Sequence, residues 1–152
     1  IIDDEKLIRD VINTYCVNEG FKVLEAENGL DALNVLSNNS VDVIVLDIMM
    51  PKMDGYTFFR EIKGNYNIPT IVVSARSDEY DKLLGFDLGI DDYLTKPFSP
   101  KELIARIKAI TKRYNETNNE FNIYYHPFFR TTVHNNFRNE KTCHPESVEN
   151  RT

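Results

Sequence analysis

From Asp3 to about Arg113, short apolar runs alternate with segments in which apolar residues recur every three or four positions. These two patterns predict strands and helices, respectively. Nearly continuous aliphatic and β-branched runs lie at Val41–Leu46 and Thr70–Ser74, as expected of strands covered on both faces of a parallel sheet. Between such runs, apolar residues recur every three or four positions, which indicates amphipathic helices. This alternation predicts βαβ units around a parallel sheet, and therefore an α/β fold.

The individual elements can be placed from these spacings and from the turn residues between them. Shorter strands are predicted at Lys22–Ala26 and Asp92–Thr95, and Ile1 and Ile2 resemble the last residues of a first strand whose beginning is missing. The predicted buried face of the first helix consists of Leu7, Ile8, Val11, Ile12 and Tyr15. Later helices are predicted around Leu30–Leu36, Phe58–Ile62, Tyr80–Leu88 and Leu103–Ile110.

The pattern changes after Tyr114, where neither spacing is sustained. We therefore expect one domain at residues 1–113 and an irregular or disordered tail at 114–152, without a recognisable DNA-binding domain. The tail contains His126, His134, Cys143 and His144, but their spacing matches no zinc finger.

Composition narrows the class of protein. The net charge of −6 disfavours tight binding of nucleic acid by this segment itself. No apolar run is long enough to cross a bilayer, and the two cysteines, Cys16 and Cys143, form no disulfide or metal framework. These features predict a cytoplasmic protein with no membrane partner.

Polar side chains occur where four predicted strands end. Asp3 and Asp4 follow the first strand, Asp47 the third and Ser74 the fourth, while Lys96 follows the fifth. Each residue alone has an ordinary explanation, such as a turn or a helix start. Ligands of open parallel sheets, however, bind at the carboxyl ends of the strands. Three converging carboxylates remain ionised together only with a cation among them, and oxygen ligands of this kind suit Mg²⁺.

Four motifs in this order resemble the receiver domain of two-component response regulators, most closely the winged-helix transcription-factor branch. They are Asp3-Asp4-Glu5, the segment from Leu46 to Gly55, Val73-Ser74-Ala75, and the segment from Gly89 to Phe98. The resemblance implies a flavodoxin-like, doubly wound five-stranded parallel sheet of order 2-1-3-4-5, with helices on both faces and a truncated first strand.

The resemblance also implies a phosphoryl-transfer site. Asp47 would accept a phosphoryl group from a sensor histidine kinase. Mg²⁺ would be held by Asp4, Asp47 and the backbone carbonyl of Met49, with Asp3 acting through water. Lys96, preceding a cis peptide bond, would contact a phosphoryl oxygen.

Ser74 and Tyr93 resemble the switch pair of the family. After phosphorylation the Ser74 hydroxyl would move toward the phosphate and the Tyr93 ring would turn inward, which would change the face formed by the last two helices and the last strand. Homodimerisation through that face would pair charges across a two-fold axis. The pairs implied are Lys82 with Glu102, Asp92 with Arg106, and Asp91 with Arg113.

Two other functions are compatible with parts of the sequence. A degenerate receiver would bind partners without phosphorylation, although all the key side chains are present. An aspartyl phosphatase would require a D-x-D arrangement on the first strand, which Asp3-Asp4-Glu5 does not supply. Control of transcription would require DNA contact through an output domain that is not recognisable in this chain.

Overall fold

The computed structural model describes residues 1–76, 85 and 87–123, with side chains described as far as residue 117. Its complete elements within these residues are the helices α1 (Lys6–Asn18), α2 (Gly29–Asn38), α3 (Gly55–Lys63) and α4 (Pro100–Ile123), and the strands β1 (Ile44–Leu46), β2 (Thr70–Ser74) and β3 (Asp92–Thr95). Residues 85, 87 and 88 are helical and belong to the helix predicted around Tyr80–Leu88. The other residues of that helix, including Lys82, lie outside the described part.

The strands form a parallel sheet of the predicted order. β1 pairs with β2 and β2 with β3, with Leu46 opposite Val72 and Val72 opposite Tyr93. Ile2 bridges in parallel to Ala26 on one side and to Leu46 on the other. The order across the sheet is therefore Ala26, Ile2, β1, β2, β3, which confirms the order 2-1-3-4-5.

The first two strands are shorter than predicted. The segment Lys22–Ala26 forms only the bridge at Ala26, because Ile1 and Ile2 are too short to provide a ladder along it. Four backbone hydrogen bonds of 2.8–3.2 Å join Ile2 and its neighbours to Val45, Asp47 and Ala26. The predicted strand at Val41–Leu46 is likewise reduced to Ile44–Leu46, because the neighbouring ladder begins only after Pro69, which has no N–H to donate.

Alternate strand residues enter two separate layers of the core, as the period of two requires. Ile44, Leu46 and Val72 pack with α2 and α3. Val45 and Ile71 face the other way and pack with α1 and α4. Helices thus cover both faces of the sheet, and the polar strand ends are left at one edge.

The buried face of α1 differs from the prediction. Ile12 and Cys16 are buried, whereas Leu7 is 73% exposed and Tyr15 is 37% exposed. The sequence contains two stripes with a four-residue spacing, one from Leu7 to Tyr15 and one from Ile8 to Cys16. Only the second faces the sheet, and the prediction that Leu7 and Tyr15 are buried was wrong.

The last helix passes the predicted domain boundary. α4 continues to Ile123, so the prediction of irregular structure was wrong for residues 114–123. The helix continues beyond its buried face because each further residue adds a backbone hydrogen bond to a helix already formed, and the side chains of Lys112 and Glu116 lie 3.8 Å apart on its surface. Residues 124–152 lie outside the described part. No helix among the described residues is long and apolar enough to cross a membrane.

Candidate functional site

Three aspartates meet at the carboxyl edge of the sheet. Asp3 and Asp4 follow the bridge at Ile2, and Asp47 follows β1. A carboxylate oxygen of each lies within 4.8 Å of the others. Asp3 and Asp47 are buried and Asp4 is exposed. We refer to these three residues as the acidic pocket.

Lys96 enters the acidic pocket from the loop after β3. Its Nζ donates to Asp3 Oδ2 at 2.9 Å and to Glu5 Oε1 at 3.3 Å, and lies 3.5 Å from Asp47 Oδ2. The peptide bond between Lys96 and Pro97 is cis, as the resemblance implied. The structure therefore brings together Asp3, Asp4, Asp47 and Lys96 as the sequence predicted.

The charges of this pocket are not balanced by Lys96 alone. Burial raises the pKa of Asp47, the ammonium of Lys96 lowers it in part, and the neighbouring charge of Asp3 raises it. Burial by itself would lower the pKa of Lys96, but the hydrogen bond to Asp3 and the charge of Asp47 outweigh it and raise that pKa. Three carboxylates facing one ammonium leave a net negative charge, and carboxylate oxygen atoms are ligands that suit Mg²⁺.

The loop after β1 fixes the position of Asp47. The Ile48 amide donates to Asp47 Oδ1 at 2.8 Å, and Gly55 packs so closely that a Cβ there would lie 2.2 Å from the Asp47 carbonyl oxygen. Met49 lies two residues further on and is 55% exposed. Its carbonyl as a metal ligand stays a prediction.

Ser74 and Tyr93 are linked through Arg76. Ser74 is fully buried at the end of β2, and its hydroxyl oxygen accepts from the Arg76 amide at 3.3 Å. Tyr93 is 8% exposed, and its hydroxyl donates to the Arg76 carbonyl at 2.9 Å. The ring of Tyr93 thus lies inward, and the two side chains contact neighbouring backbone groups of one loop.

Four charged residues of the predicted dimer face, Asp91, Asp92, Glu102 and Arg106, have partners within the chain. Arg106 Nη1 lies 2.8 Å from Asp92 Oδ2, and Arg106 Nη2 lies 2.7 Å from Glu102 Oε1. Asp91 accepts from the Thr70 amide at 2.8 Å and from the Tyr114 hydroxyl at 2.9 Å. Arg113 lies on the same helix as Arg106, and Lys82 lies outside the described residues. The pairs across a two-fold axis stay predictions.

Sequence reasoning missed Arg9. This arginine is 5% exposed although it is charged, and its guanidinium donates at 2.7 Å to the backbone carbonyl of Asp3. A single arginine on a predicted amphipathic helix gives no signal of burial, because most such residues are solvated.

The amino-acid sequence matches a known protein family over most of its length. Residues 1–108 match the family model described as response regulator receiver domain. A probable transcriptional regulator, ycf27 of Cyanidium caldarium, is 46% identical over 118 residues, which cover 78% of this chain and 47% of that protein. The chain therefore spans about half the length of this curated relative.

Solved structures agree with the family match. The receiver domain of the Francisella response regulator 1452 is 41% identical, with a TM-score of 0.71 over 74% of this chain and 94% of that one. The BeF3-activated receiver domain of DrrB is 34% identical, with a TM-score of 0.67 over 73% of this chain and 93% of that one. DrrB is an OmpR/PhoB homologue from Thermotoga maritima. The chain therefore belongs to the response regulator receiver domain family, the signal-receiving domains of two-component systems.

Proposed function

We propose that Asp47 is the phosphoacceptor of this receiver domain. An Asp47 carboxylate oxygen attacks the phosphorus of a phosphohistidine on a sensor kinase, and a P–O bond forms as the P–N bond breaks. The electron pair of the broken bond stays with the imidazole of the donor. The product is an acyl phosphate on Asp47.

The observation that carries this proposal is the convergence of one ammonium and three carboxylates from distant segments. Asp47 is buried beside Lys96, with 3.5 Å between Asp47 Oδ2 and Lys96 Nζ. Lys96 is therefore positioned to contact an oxygen of a group attached to Asp47 and to neutralise its charge during transfer. The chemistry needs positioning and electrostatics, because the donor supplies the energy.

The acidic pocket supports Mg²⁺ as the cofactor. Asp4 and Asp47 would hold the ion with the Met49 carbonyl, and Asp3 would contribute through water. When bound, Mg²⁺ neutralises charge on the oxygen atoms of the transferring phosphoryl group. Asp3 also accepts from Lys96 and from the Glu5 amide, so its carboxylate is fixed in place before any ion binds.

Phosphorylation would act on the remainder of the protein through Ser74 and Tyr93. A phosphoryl group adds charge and strong acceptor oxygens, and the Ser74 hydroxyl would turn from the Arg76 amide toward it. Since the Tyr93 hydroxyl donates to the Arg76 carbonyl, movement of this loop is transmitted to β3 and to the face that carries Arg106. That face would form a homodimer, and an output domain in the whole protein would control transcription, as the name of ycf27 suggests for that relative.

The experiment is phosphorylation of the full chain by acetyl phosphate, or by a phosphorylated sensor kinase, in the presence of Mg²⁺. Intact-mass spectrometry should detect one added phosphoryl group, which should be absent in Asp47→Asn. Asp42→Asn is a matched control, because Asp42 is exposed and precedes the same strand. Labelling of Asp47→Asn at the wild-type level would contradict the assignment of Asp47.

A further inference from the structure

Arg9 contacts the backbone that carries two aspartates of the acidic pocket. Its Nη1 donates to the Asp3 carbonyl at 2.7 Å and to the Asp4 carbonyl at 3.3 Å. The side chain is only 6% exposed. One guanidinium group thus contacts two consecutive backbone carbonyls, in the turn from which the Asp3 and Asp4 side chains project.

The charge of Arg9 is offset by two glutamates that do not belong to the acidic pocket. Its Nε lies 3.1 Å from Glu25 Oε2 and its Nη2 lies 3.3 Å from Glu27 Oε1. Glu25 also accepts from Asn13 Nδ2 at 2.7 Å. Glu25 and Glu27, on the segment around Ala26, therefore bind the Nε and Nη2 groups of Arg9, while Nη1 binds the carbonyls of the turn.

The backbone of this turn has few other attachments. Lys96 and the Glu5 amide contact the Asp3 side chain, and the Asp3 amide donates to the Ala26 carbonyl at 3.2 Å. The first residues of the chain form single bridges rather than a ladder, and α1 begins at Lys6 with no side-chain hydrogen bond from its N-cap, Glu5. Long arginine side chains lose much rotamer freedom when they are fixed, so the burial and four-fold bonding of Arg9 indicate that the turn is held in a defined conformation.

We propose that Arg9 is a positioning residue for the cation site: it sets the Asp3–Asp4 backbone so that both carboxylates face Asp47. This inference rests on the proposed Mg²⁺ site and names a residue that acts on it without contacting the ion. Residues that orient metal ligands in this indirect way typically change metal affinity about 10- to 100-fold when they are replaced.

A positioning role and a purely electrostatic role of Arg9 predict opposite changes in Mg²⁺ affinity when Arg9 is replaced. If Arg9 acted only as a nearby positive charge, Arg9→Met would remove repulsion and Mg²⁺ would bind more tightly. If Arg9 positions the aspartates, Arg9→Met weakens Mg²⁺ binding, and we expect a loss of about tenfold.

The test is isothermal titration calorimetry of the full 152-residue chain with Mg²⁺, together with the rate of phosphorylation by acetyl phosphate against Mg²⁺ concentration. Arg9→Met should raise the dissociation constant and the half-saturating Mg²⁺ concentration by about tenfold, while the rate at saturating Mg²⁺ changes less than threefold. A variant that merely lost stability would show a lower melting temperature without this separation.

Lys6→Met is the matched control, since it removes one positive charge from the same helix at a side chain that is 76% exposed. It should change Mg²⁺ affinity less than twofold. Arg9→Lys keeps the charge but cannot reach two carbonyls and two glutamates at once, and should lose affinity by an intermediate factor. If Arg9→Met does not fold, Arg9→Lys decides alone.

Equal or tighter Mg²⁺ binding by the folded Arg9 variants would overturn the role of Arg9. Failure of the wild-type chain to bind Mg²⁺ or to be phosphorylated would instead refute the proposed function. The two failures are therefore distinguishable.

Discussion

Replacement of Gly55 by alanine tests how closely the loop after β1 fixes Asp47, the proposed phosphoacceptor. A Cβ at residue 55 would lie 2.2 Å from the Asp47 carbonyl oxygen and 2.9 Å from Ile48 Cα. Carbon–oxygen contacts occur at roughly 3.3 Å, so the backbone must move by about 1 Å. Both obstructing atoms belong to the main chain, and the Asp47 amide is itself hydrogen-bonded to the Ile2 carbonyl at 2.8 Å.

Two measurable effects follow from this displacement. Overpacking of a buried site costs about 1–3 kcal/mol, which corresponds to a fall in melting temperature of roughly 4–12 °C for a domain of this size. A 1 Å displacement of a reacting group costs up to about 100-fold in rate. We expect Gly55→Ala to show both, measured by thermal denaturation and by the rate of phosphorylation with acetyl phosphate.

Gly64 provides the control for Gly55. It ends α3 with a φ of −86°, and a Cβ there would meet nothing within 4 Å. Gly64→Ala should therefore change the free energy of unfolding by less than about 0.5 kcal/mol and leave the phosphorylation rate unchanged. A Gly55→Ala variant with the melting temperature and the rate of the wild type would refute the reasoning.

Three further predictions concern the charged groups. Burial raises the pKa of Asp47 above its ordinary value of 3.8, so the folded state favours the protonated carboxyl and loses stability as the pH rises from 3.8 through the folded pKa. In metal-free buffer at pH 7, Asp47→Asn should therefore have a higher melting temperature than the wild type. This gain in melting temperature should disappear at about pH 3. Lys96→Met leaves two buried carboxylates without their cation and should cost about 3 kcal/mol at pH 7, a loss that added Mg²⁺ should partly restore in a thermal scan. Burial and the hydrogen bond to Asp91 raise the pKa of Tyr114 to about 12. Tyr114→Phe removes this hydrogen bond and should lower the free energy of unfolding, measured in urea, by about 1.5 kcal/mol. Tyr66→Phe, at an exposed side chain, should leave the free energy of unfolding unchanged.

The elements that the sequence predicted with correct bounds are those whose pattern is local. β2 begins directly after Pro69, as expected where a turn residue precedes an apolar run. β3 spans Asp92–Thr95, as predicted. The segment Lys22–Ala26 failed as a strand because its pairing depends on the length of a neighbour, Ile1–Ile2, far away in the sequence.

The choice of the buried face of α1 could not be made from spacing. The stripe from Leu7 to Tyr15 and the stripe from Ile8 to Cys16 have the same period, and only the position of the sheet decides between them. The sequence beyond Tyr114 has no apolar stripe from which a helix could be predicted. The helix continues there because each residue adds a backbone hydrogen bond to the preceding turns of α4.

The sequence predicted the acidic and basic side chains of the candidate site. It did not predict Arg9, which contacts the backbone of two of them. Asp3, Asp4, Asp47 and Lys96 occur at strand ends, and the topology of a parallel sheet brings such ends together. Arg9 contacts backbone carbonyls rather than another motif, so no pattern in one sequence distinguishes it from the solvated charges of the same helix.

The hydrogen bond between Lys96 and Asp3 joins residues that are 93 positions apart. Closing a contact of such long separation costs loop-closure entropy, and contacts of this kind slow folding. A nascent chain on the ribosome therefore cannot complete the pocket before Lys96 has been synthesised. The proposed transfer of phosphate to Asp47 therefore depends on β3 as well as on β1, because the loop after β3 carries Lys96 to within 3.5 Å of Asp47.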